Sequence, residues 1–216
     1  MIETADIPGT VGSLPSESLL QRPAGALVLK RTFDVTVSAL ALCTVYPLVW
    51  LVCAPVIRLS SKGPILFRQR RNGLAGKEFT CLKLRTMRLN HEADTRQSAG
   101  EDERVFRFGL FLRKTGLDEL PQLWNILCGD MSIVGPRPHM LSHTAFYAPR
   151  IEGYALRHRV RPGITGWAQV SGSRGATPEL SDMQRRIDLD NHYIDHWSLW
   201  LDIRVLFKTL LLLFHR

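Results

Sequence analysis

Two adjacent carboxylates, Asp118 and Glu119, stand shortly before Pro121 and an apolar run. Proline is tolerated in the first turn of a helix, so a helix is predicted to begin near Leu117 or Asp118. Both carboxylates then lie at its positive end, where the dipole favours ionised acids, and Arg113 adds a further positive charge. A fixed, ionised carboxylate beside cations is a plausible nucleophile toward phosphorus. The same pattern also fits a simple N-cap followed by a first-turn charge, and this stretch alone does not exclude that reading.

Basic residues alternate in a stretch that reads as extended. Residues 63–73 and 78–87 are predicted to form a β-hairpin, with Asn-Gly as its turn signal. Because side chains alternate along a strand, Lys83 and Arg85 are expected on the same face. Two neighbouring cations suit phosphate oxygens, although a solvated strand face gives the same pattern.

Two further arginines sit in backbone contexts that could present them to an anion. Arg137 lies between two prolines, and a stiff frame lowers the cost of aiming a guanidinium at a ligand. Arg161 precedes a Pro-Gly loop, where main-chain N–H groups can approach an anion closely. The alternatives are a rigid turn with an exposed arginine and an ordinary glycine loop.

The composition of the 216-residue chain limits the classes of function. It is 45% hydrophobic and 22% charged, with a net charge of +8. That balance is globular and suits nucleic acid, acidic lipid headgroups or phosphorylated small molecules as partners. The four cysteines are widely spaced and form no C-x-x-C pair, which argues against a zinc site or a redox dithiol.

The run from Val35 through Ile57 contains no charged residue. As a straight helix it would be about 34 Å long, enough to cross a bilayer core. Pro47 should break or kink this helix at its middle. Basic residues flank both ends, which favours keeping both ends on the cytoplasmic side. A re-entrant helix that bends at Pro47 satisfies both observations, and the alternative is an ordinary anchor helix with its N-terminus outside.

The chain is thereby divided into three parts. Residues 1–29 are predicted to form a mobile N-terminal arm, residues 30–60 the re-entrant membrane helix, and residues 61–216 a domain that faces the cytosol. The C-terminal segment from Trp197 combines tryptophans, leucines and basic residues in a pattern typical of a helix lying in the membrane interface. A terminal helix packed on the core explains that segment nearly as well.

Taken together, these stretches resemble the bacterial sugar transferases, the monotopic polyprenyl-phosphate phosphoglycosyl transferases. The resemblance extends from about Lys30 to Lys208. Its motifs are Lys30-Arg-Thr-Phe-Asp34 with Pro47, Gly63-Pro64, Lys83-Leu-Arg-Thr-Met87, Leu117-Asp-Glu-Leu-Pro-Gln122, Gly135-Pro-Arg-Pro138 and Arg161-Pro-Gly-Ile-Thr-Gly-Trp167, with Asp190 and Tyr193 completing the set.

The resemblance implies an α+β, mostly helical monotopic membrane protein with a proline-broken re-entrant helix, a small β-hairpin and interfacial amphipathic helices. It implies that Asp118 is the nucleophile, that Glu119 is its partner, and that both carboxylates bind Mg²⁺. The residues expected to bind substrate or its phosphates are Arg113, Lys83, Arg85, Arg137, Arg161, Asp190 and Tyr193.

The implied activity is transfer of a sugar-1-phosphate from a UDP-sugar to polyprenyl (undecaprenyl) phosphate, with release of UMP, at the bacterial inner membrane. This would initiate exopolysaccharide, capsule or O-antigen synthesis. The segment from Arg174-Gly175 to Trp197 most resembles the glucose-1-phosphate transferring members. Galactose-1-phosphate and N-acetylhexosamine-1-phosphate are the alternatives, and a homodimer is compatible with the sequence.

Three other classes of protein compete with this interpretation. A nucleic-acid-binding protein would account for the net charge but not for the uncharged run, so no nucleic-acid partner is expected. A membrane-bound nucleotide-sugar phosphohydrolase would use the same carboxylates with water as the acceptor. An inactive adaptor would not need the Asp118-Glu119 pair.

Overall fold

The structure, a computed structural model, describes residues 22–92 and 102–214. Most of the predicted N-terminal arm, residues 1–21, lies outside the described residues. The rest of that arm includes a helical segment, because the first helix begins at Ala24, six residues before the predicted start at Lys30.

The described chain is mostly helical, as predicted, with two small sheets, of which only the hairpin was predicted. The helices are α1 (Ala24–Cys43), α2 (Val45–Ser60), α3 (Arg107–Thr115), α4 (Gln122–Cys128), α5 (Leu141–Tyr147), α6 (Trp167–Val170), α7 (Leu180–Asp195) and α8 (Leu199–Phe214). Three 3-10 turns cover Leu74–Gly76, Leu117–Glu119 and Tyr154–Arg159. The strands are β1 (Leu66–Asn72), β2 (Glu78–Leu84), β3 (Ser132–Val134) and β4 (Gly163–Thr165).

The apolar run is broken where its central proline requires a break. Helices α1 and α2 meet at Thr44 and are bent by 50°. Pro47 has no N–H to donate to the carbonyl of Cys43, and its ring clashes with that carbonyl in a continuous helix. Among the described helices none is alone long and apolar enough to cross a membrane, but α1 and α2 meet that criterion together.

One face of α1 is tied to the rest of the molecule by charged residues. Lys30 forms a 2.6 Å ion pair with Asp202 on α8, and Arg31 donates hydrogen bonds to carbonyls in the last turn of α4. Asp34 is buried and accepts a 2.7 Å hydrogen bond from Ser132. The basic pair at the start of the apolar run therefore binds protein groups.

The hairpin predicted from the Asn-Gly signal is present. Strands β1 and β2 pair antiparallel, with Phe67 opposite Lys83. The second sheet pairs β3 with β4 in parallel and brings Gly163 against Gly135. A Cβ atom on Gly163 would lie 2.1 Å from the Gly135 nitrogen, so the glycine permits close backbone packing at this point.

Helices α1, α2 and α8 each expose several large apolar side chains. Helix α8 buries Leu201 and Val205, while Trp200 and Phe207 on its other side are 67% and 61% exposed. It therefore combines the two alternatives drawn from sequence: a face packed on the core and an exposed apolar face. The exposed apolar residues on α1 and α2 are Val28, Leu29, Phe33, Val37, Leu40, Val45, Leu48, Leu51, Val52 and Leu59.

Candidate active site

A cleft of about 520 Å³ lies where the hairpin, α3, the Leu117–Glu119 turn and the Pro136–Pro138 segment meet. Two carboxylates, Asp118 and Glu119, line it. The cationic residues among its lining are Arg71, Lys83, Arg85, Arg88, Arg113, Arg137, Arg174 and Arg186. Such an excess of positive charge in a concave site attracts anionic ligands and raises their local concentration.

The carboxylates lie in a 3-10 turn and not at the start of an α-helix. Helix α3 ends at Gly116, whose φ of 74° is left-handed, and the turn Leu117–Glu119 follows directly. Helix α4 begins only at Gln122, later than the sequence indicated. Pro121 and the preceding turn therefore separate the carboxylates from the helix that was expected to hold them.

Asp118 is almost completely buried, with 7% of its surface exposed. Burial raises the pKa of its carboxyl to about 6, because desolvation disfavours the charged form. The positive charge of Lys83 acts in the opposite direction, whereas the charge of Glu119 raises the pKa further. A carboxyl that ionises near neutrality is suited to a chemical role.

Glu119 is the charged centre of the site. Its Oε1 accepts hydrogen bonds of 2.7 Å from Lys83 and 2.6 Å from Arg137. Burial would raise the pKa of this carboxyl, but the two cations outweigh burial and hold the pKa well below its usual range. Glu119 is therefore an ionised anchor that positions one cation from the hairpin and one from the proline-flanked segment.

The Pro136–Pro138 segment is held through three successive carbonyls. Gly163 donates a 2.9 Å backbone bond to Pro136 O, Arg157 donates a 2.5 Å bond to Arg137 O, and Arg71 donates a 2.7 Å bond to Pro138 O. Proline has no N–H, so this segment cannot be fixed by ordinary strand pairing. These three hydrogen bonds add to the two proline rings in holding the main chain on either side of Arg137.

Arg113 reaches the same cleft from α3, where its Nε donates a 2.8 Å hydrogen bond to Thr86 Oγ1. Burial lowers the pKa of its guanidinium, and the negative charge of Asp118 opposes that shift. The structure therefore brings Arg113, Lys83 and Arg137 together around Asp118 and Glu119.

Arg85 also borders the cleft, but its guanidinium is hydrogen-bonded to other protein groups. It is 3% exposed and donates hydrogen bonds of 2.7 Å to both Oγ and the carbonyl of Ser61, and one of 2.6 Å to the Pro64 carbonyl. Ser61 is the residue that caps the end of α2. The contacts of Arg85 thus fasten the end of the apolar helix pair to the hairpin.

Three residues expected at the substrate lie outside the cleft lining. Arg161 donates a 2.8 Å hydrogen bond to the Gly129 carbonyl. Asp190 is buried against Arg157, and Tyr193 is buried with its hydroxyl donating a 2.6 Å hydrogen bond to Asp202. The polar groups of all three residues bind other protein groups, and the structure does not bring them together with the carboxylates.

The cleft is also lined by residues that the sequence did not indicate as site residues. His139 and His143 border it together with Arg186. Burial holds the pKa of His139 well below its usual range, so this imidazole is neutral at physiological pH. A spacing of four residues is the signal that the sequence offers, since it would put both histidines on one face of a helix. In the structure only His143 lies in a helix, α5, and His139 precedes it.

Mg²⁺ is the ion that a pair of adjacent carboxylates beside phosphate-binding cations could hold. The described residues contain no group of three or more histidine, cysteine or acidic side chains suited to a metal. Mg²⁺ commonly takes one or two carboxylates and completes its shell with substrate phosphates and water. Oε1 of Glu119 is occupied by two cations, whereas Oε2 has a single 3.4 Å contact with Arg137 and can accept a further partner. The pair fits a phosphate-completed ion of this kind.

A buried carboxylate of raised pKa, set among cations in a cleft beside a bent apolar helix pair, is the arrangement of a membrane-associated phosphoryl-group transferase. A model of the family described as bacterial sugar transferase matches residues 25–216. The chain belongs to the bacterial sugar transferase family, as the sequence motifs predicted.

Curated relatives share this region of the chain. A UDP-glucose:undecaprenyl-phosphate glucose-1-phosphate transferase from Xanthomonas campestris pv. campestris is 48% identical over 92% of the chain and 42% of its own length. One with the same name from Caulobacter vibrioides is 47% identical over 90% of the chain and 76% of its own length. A UDP-N-acetylgalactosamine-undecaprenyl-phosphate N-acetylgalactosaminephosphotransferase from Aeromonas hydrophila is 41% identical over 89% of the chain and 45% of its own length. The chain thus spans about two fifths of the Xanthomonas relative.

Proposed function

We propose that this protein transfers a sugar-1-phosphate from a UDP-sugar to polyprenyl phosphate and releases UMP. The observation that carries the proposal is the desolvated Asp118 carboxylate beside a Glu119 that is already neutralised by Lys83 and Arg137. Asp118 is thereby left to react, while Glu119 holds in place the cations that bind the phosphate groups.

In the first step an ionised Asp118 oxygen attacks the phosphorus that carries the sugar. A bond forms between that oxygen and phosphorus, and the phosphoanhydride bond to UMP breaks. UMP leaves with the bridging oxygen and its electron pair, and a phosphosugar remains on Asp118 as an acyl phosphate. Neither a redox change nor ATP is required, because one activated phosphorus bond replaces another.

In the second step an oxygen of polyprenyl phosphate attacks the same phosphorus. The bond to Asp118 breaks and the carboxylate is regenerated, while the product leaves as a polyprenyl-diphosphate sugar. The lipid phosphate supplies the nucleophile, so water is not needed as an acceptor. This acceptor distinguishes a transferase from a phosphohydrolase.

The cations of the cleft stabilise the charge that develops on the phosphoryl oxygens. Lys83, Arg113 and Arg137 are fixed by protein contacts before substrate arrives, and preorganised charges of this kind need little rearrangement during reaction. Glu119 and Asp118 would be the residues that hold Mg²⁺, which would supply further charge neutralisation.

The bent helix pair is proposed to enter the cytoplasmic face of the inner membrane and return without crossing it. Two contacts support this placement. Lys30 near the start of α1 is paired with Asp202, and Ser61 at the end of α2 binds Arg85, so both ends are held by the same catalytic domain. Ten exposed apolar side chains on α1 and α2 would then contact lipid.

Glucose-1-phosphate is the proposed transferred group, since that activity is named for the Xanthomonas and Caulobacter relatives. The Aeromonas relative supports an N-acetylhexosamine as the second candidate. An exopolysaccharide production protein from Rhizobium leguminosarum bv. phaseoli, 42% identical over 85% of the chain, supports a role at the start of exopolysaccharide synthesis.

Release of UMP by purified protein in detergent tests the proposal. Enzyme, Mg²⁺ and a panel of UDP-sugars are mixed with and without undecaprenyl phosphate. We expect one equivalent of UMP per enzyme without lipid, and multiple turnovers with it. Continuous turnover without lipid would identify a phosphohydrolase, whereas no UMP until lipid is added would remove the covalent role from Asp118.

A further inference from the structure

Asp190 and Arg157 form an ion pair that lies outside the cleft. Asp190 Oδ2 accepts a 2.8 Å hydrogen bond from Arg157 Nη2, and each side chain is only 2% exposed. Asp190 comes from α7 and Arg157 from the Tyr154–Arg159 turn. Replacing a buried ion pair with apolar residues is often neutral or stabilising, so stability alone does not account for this one.

The same Arg157 nitrogen makes a second contact that leads to the active site. Nη2 donates a 2.5 Å hydrogen bond to the main-chain carbonyl of Arg137. The side chain of Arg137 in turn donates a 2.6 Å hydrogen bond to Glu119. A continuous series of contacts therefore runs from the buried Asp190 through Arg157 and Arg137 to a carboxylate of the cleft.

The main-chain contact controls a rotation that the prolines do not fix. The rings of Pro136 and Pro138 fix their own φ angles, and Pro138 restricts its predecessor to extended conformations. Within that range, rotation about the ψ angle of Arg137 still changes the orientation of its side chain relative to its carbonyl group. A hydrogen bond from a charged donor to that carbonyl selects one orientation.

We infer that Asp190 is a positioning residue: its charge holds Arg157 against the Arg137 carbonyl and so aims the Arg137 guanidinium into the cleft. This inference rests on the proposed function for the catalytic importance of Arg137. It replaces the contact between Asp190 and substrate that the sequence suggested. Asp190 lies 53 positions after Arg137 in the chain and acts on it through Arg157.

A double-mutant cycle tests the inference. Asp190→Asn keeps the shape of the side chain and removes its charge, and we expect the first-step rate of UMP release to fall about tenfold to a hundredfold, as misplacing a catalytic group does. In an Arg137→Ala background the same substitution should change the rate less than about twofold, because the group it positions is gone. Multiplicative losses would overturn the inference, as would a loss confined to KM for the UDP-sugar.

Asp202→Asn is the matched control, since Asp202 also forms a buried ion pair, 2.6 Å from Lys30, away from Arg137. Its effect on rate should multiply with that of Arg137→Ala. Should Asp190→Asn melt below the assay temperature, the double variant Asp190→Leu, Arg157→Met serves in its place, because apolar residues of similar size are often tolerated at a buried ion pair. It also removes the Nη2 donor that contacts the Arg137 carbonyl.

A second measurement does not depend on activity. In protein labelled with ¹⁵N at arginine, and assigned with Arg137→Ala, the side-chain N–H groups of Arg137 report its hydrogen bond to Glu119 through their rate of exchange with water. We expect faster exchange in Asp190→Asn and not in Asp202→Asn, and an unchanged exchange rate would overturn the inference. Wild-type protein that releases no UMP would overturn the proposed function instead, while this exchange measurement would still decide the positioning role.

Discussion

Glu119 and Arg137 are separated by 18 positions in the chain and joined by a 2.6 Å hydrogen bond in the cleft. Together with Lys83 this bond keeps Glu119 ionised, while burial gives the neighbouring Asp118 a pKa of about 6. Two adjacent carboxyls whose pKa values are pushed apart by their surroundings are suited to different roles.

Asp118→Asn should abolish the single equivalent of UMP released without lipid, because a neutral amide cannot form an acyl phosphate. The wild-type reaction should leave a phosphosugar on Asp118, detected by intact-protein mass spectrometry after acid quench. A full equivalent of UMP from Asp118→Asn would contradict the nucleophile assignment.

The rate of the first step should depend on pH with an acid limb near 6. Protonation removes the attacking charge of Asp118, so the rate should fall about tenfold per unit below that pH. Rapid-quench measurement of UMP release between pH 5 and 8 gives the profile. A flat profile over this range would show that ionisation of Asp118 does not limit the step.

Glu119→Gln should move that acid limb to lower pH and also slow the step. The substitution removes a negative charge that raises the pKa of Asp118, and it releases Lys83 and Arg137 from their shared partner. Both changes favour the ionised form of Asp118. A shift of the acid limb to higher pH would mean that Glu119 does not act on Asp118 through its charge.

Asp118→Asn should also stabilise the folded protein at neutral pH. The folded-state pKa of about 6 exceeds the ordinary value of 3.8, so ionisation of Asp118 disfavours the folded state once the pH passes that window. The gain should approach about 3 kcal/mol above pH 7 and shrink as the pH falls toward 4, where the carboxyl is protonated in the folded state. Thermal melts of both proteins at pH 7.5 and 4.5 measure it, and equal differences at both values would refute this electrostatic origin.

Arg137→Ala should slow UMP release on the order of a hundredfold, the cost of about 3 kcal/mol of lost charge stabilisation. Arg185→Ala is the control, because Arg185 is exposed on α7 and lies outside the cleft lining. Similar small effects in both variants would reduce Arg137 to a structural residue.

The sequence predicted those features of the site that depend on local chemistry. Pro47 predicts a break because its own ring and missing N–H act on the carbonyl four residues earlier, and the observed break lies between them at Thr44. The same holds for the hairpin that places Lys83 and for the prolines around Arg137. In each case the cause and the effect lie within a few residues.

Partners that come from distant segments could not be predicted in this way. Asp190 binds Arg157, 33 positions away, and the Tyr193 hydroxyl donates a hydrogen bond to the Val134 carbonyl, 59 positions away. The polar side chains of Asp190 and Tyr193 indicated a binding site, but their residue types could not show that other protein groups are their partners. The onset of α4 differed for a different reason. The first turn of a helix tolerates proline, but a proline does not require a helix to start before it. Here the 3-10 turn ends before Pro121, and α4 starts after it.

The last prediction concerns the topology of α1 and α2. Gly25 lies at the start of α1, and a side chain added there meets no atom within 4 Å, so Gly25→Cys supplies a label site. The exposed Cys43 and Cys128 are first replaced by serine. An impermeant maleimide should label Gly25→Cys in inside-out vesicles and not in intact spheroplasts, because Lys30 holds this end of α1 to the catalytic domain.

Pro47→Leu extends that test by restoring a backbone donor and removing the ring clash with Cys43. A straightened pair would exceed the thickness of a bilayer core, so part of the protein should expose residue 25 on the outer face. Adding Lys30→Ala should increase that fraction, since it removes the ion pair with Asp202. Labelling of Gly25→Cys from the outside in the background that retains Pro47 would contradict the re-entrant arrangement and indicate a spanning helix.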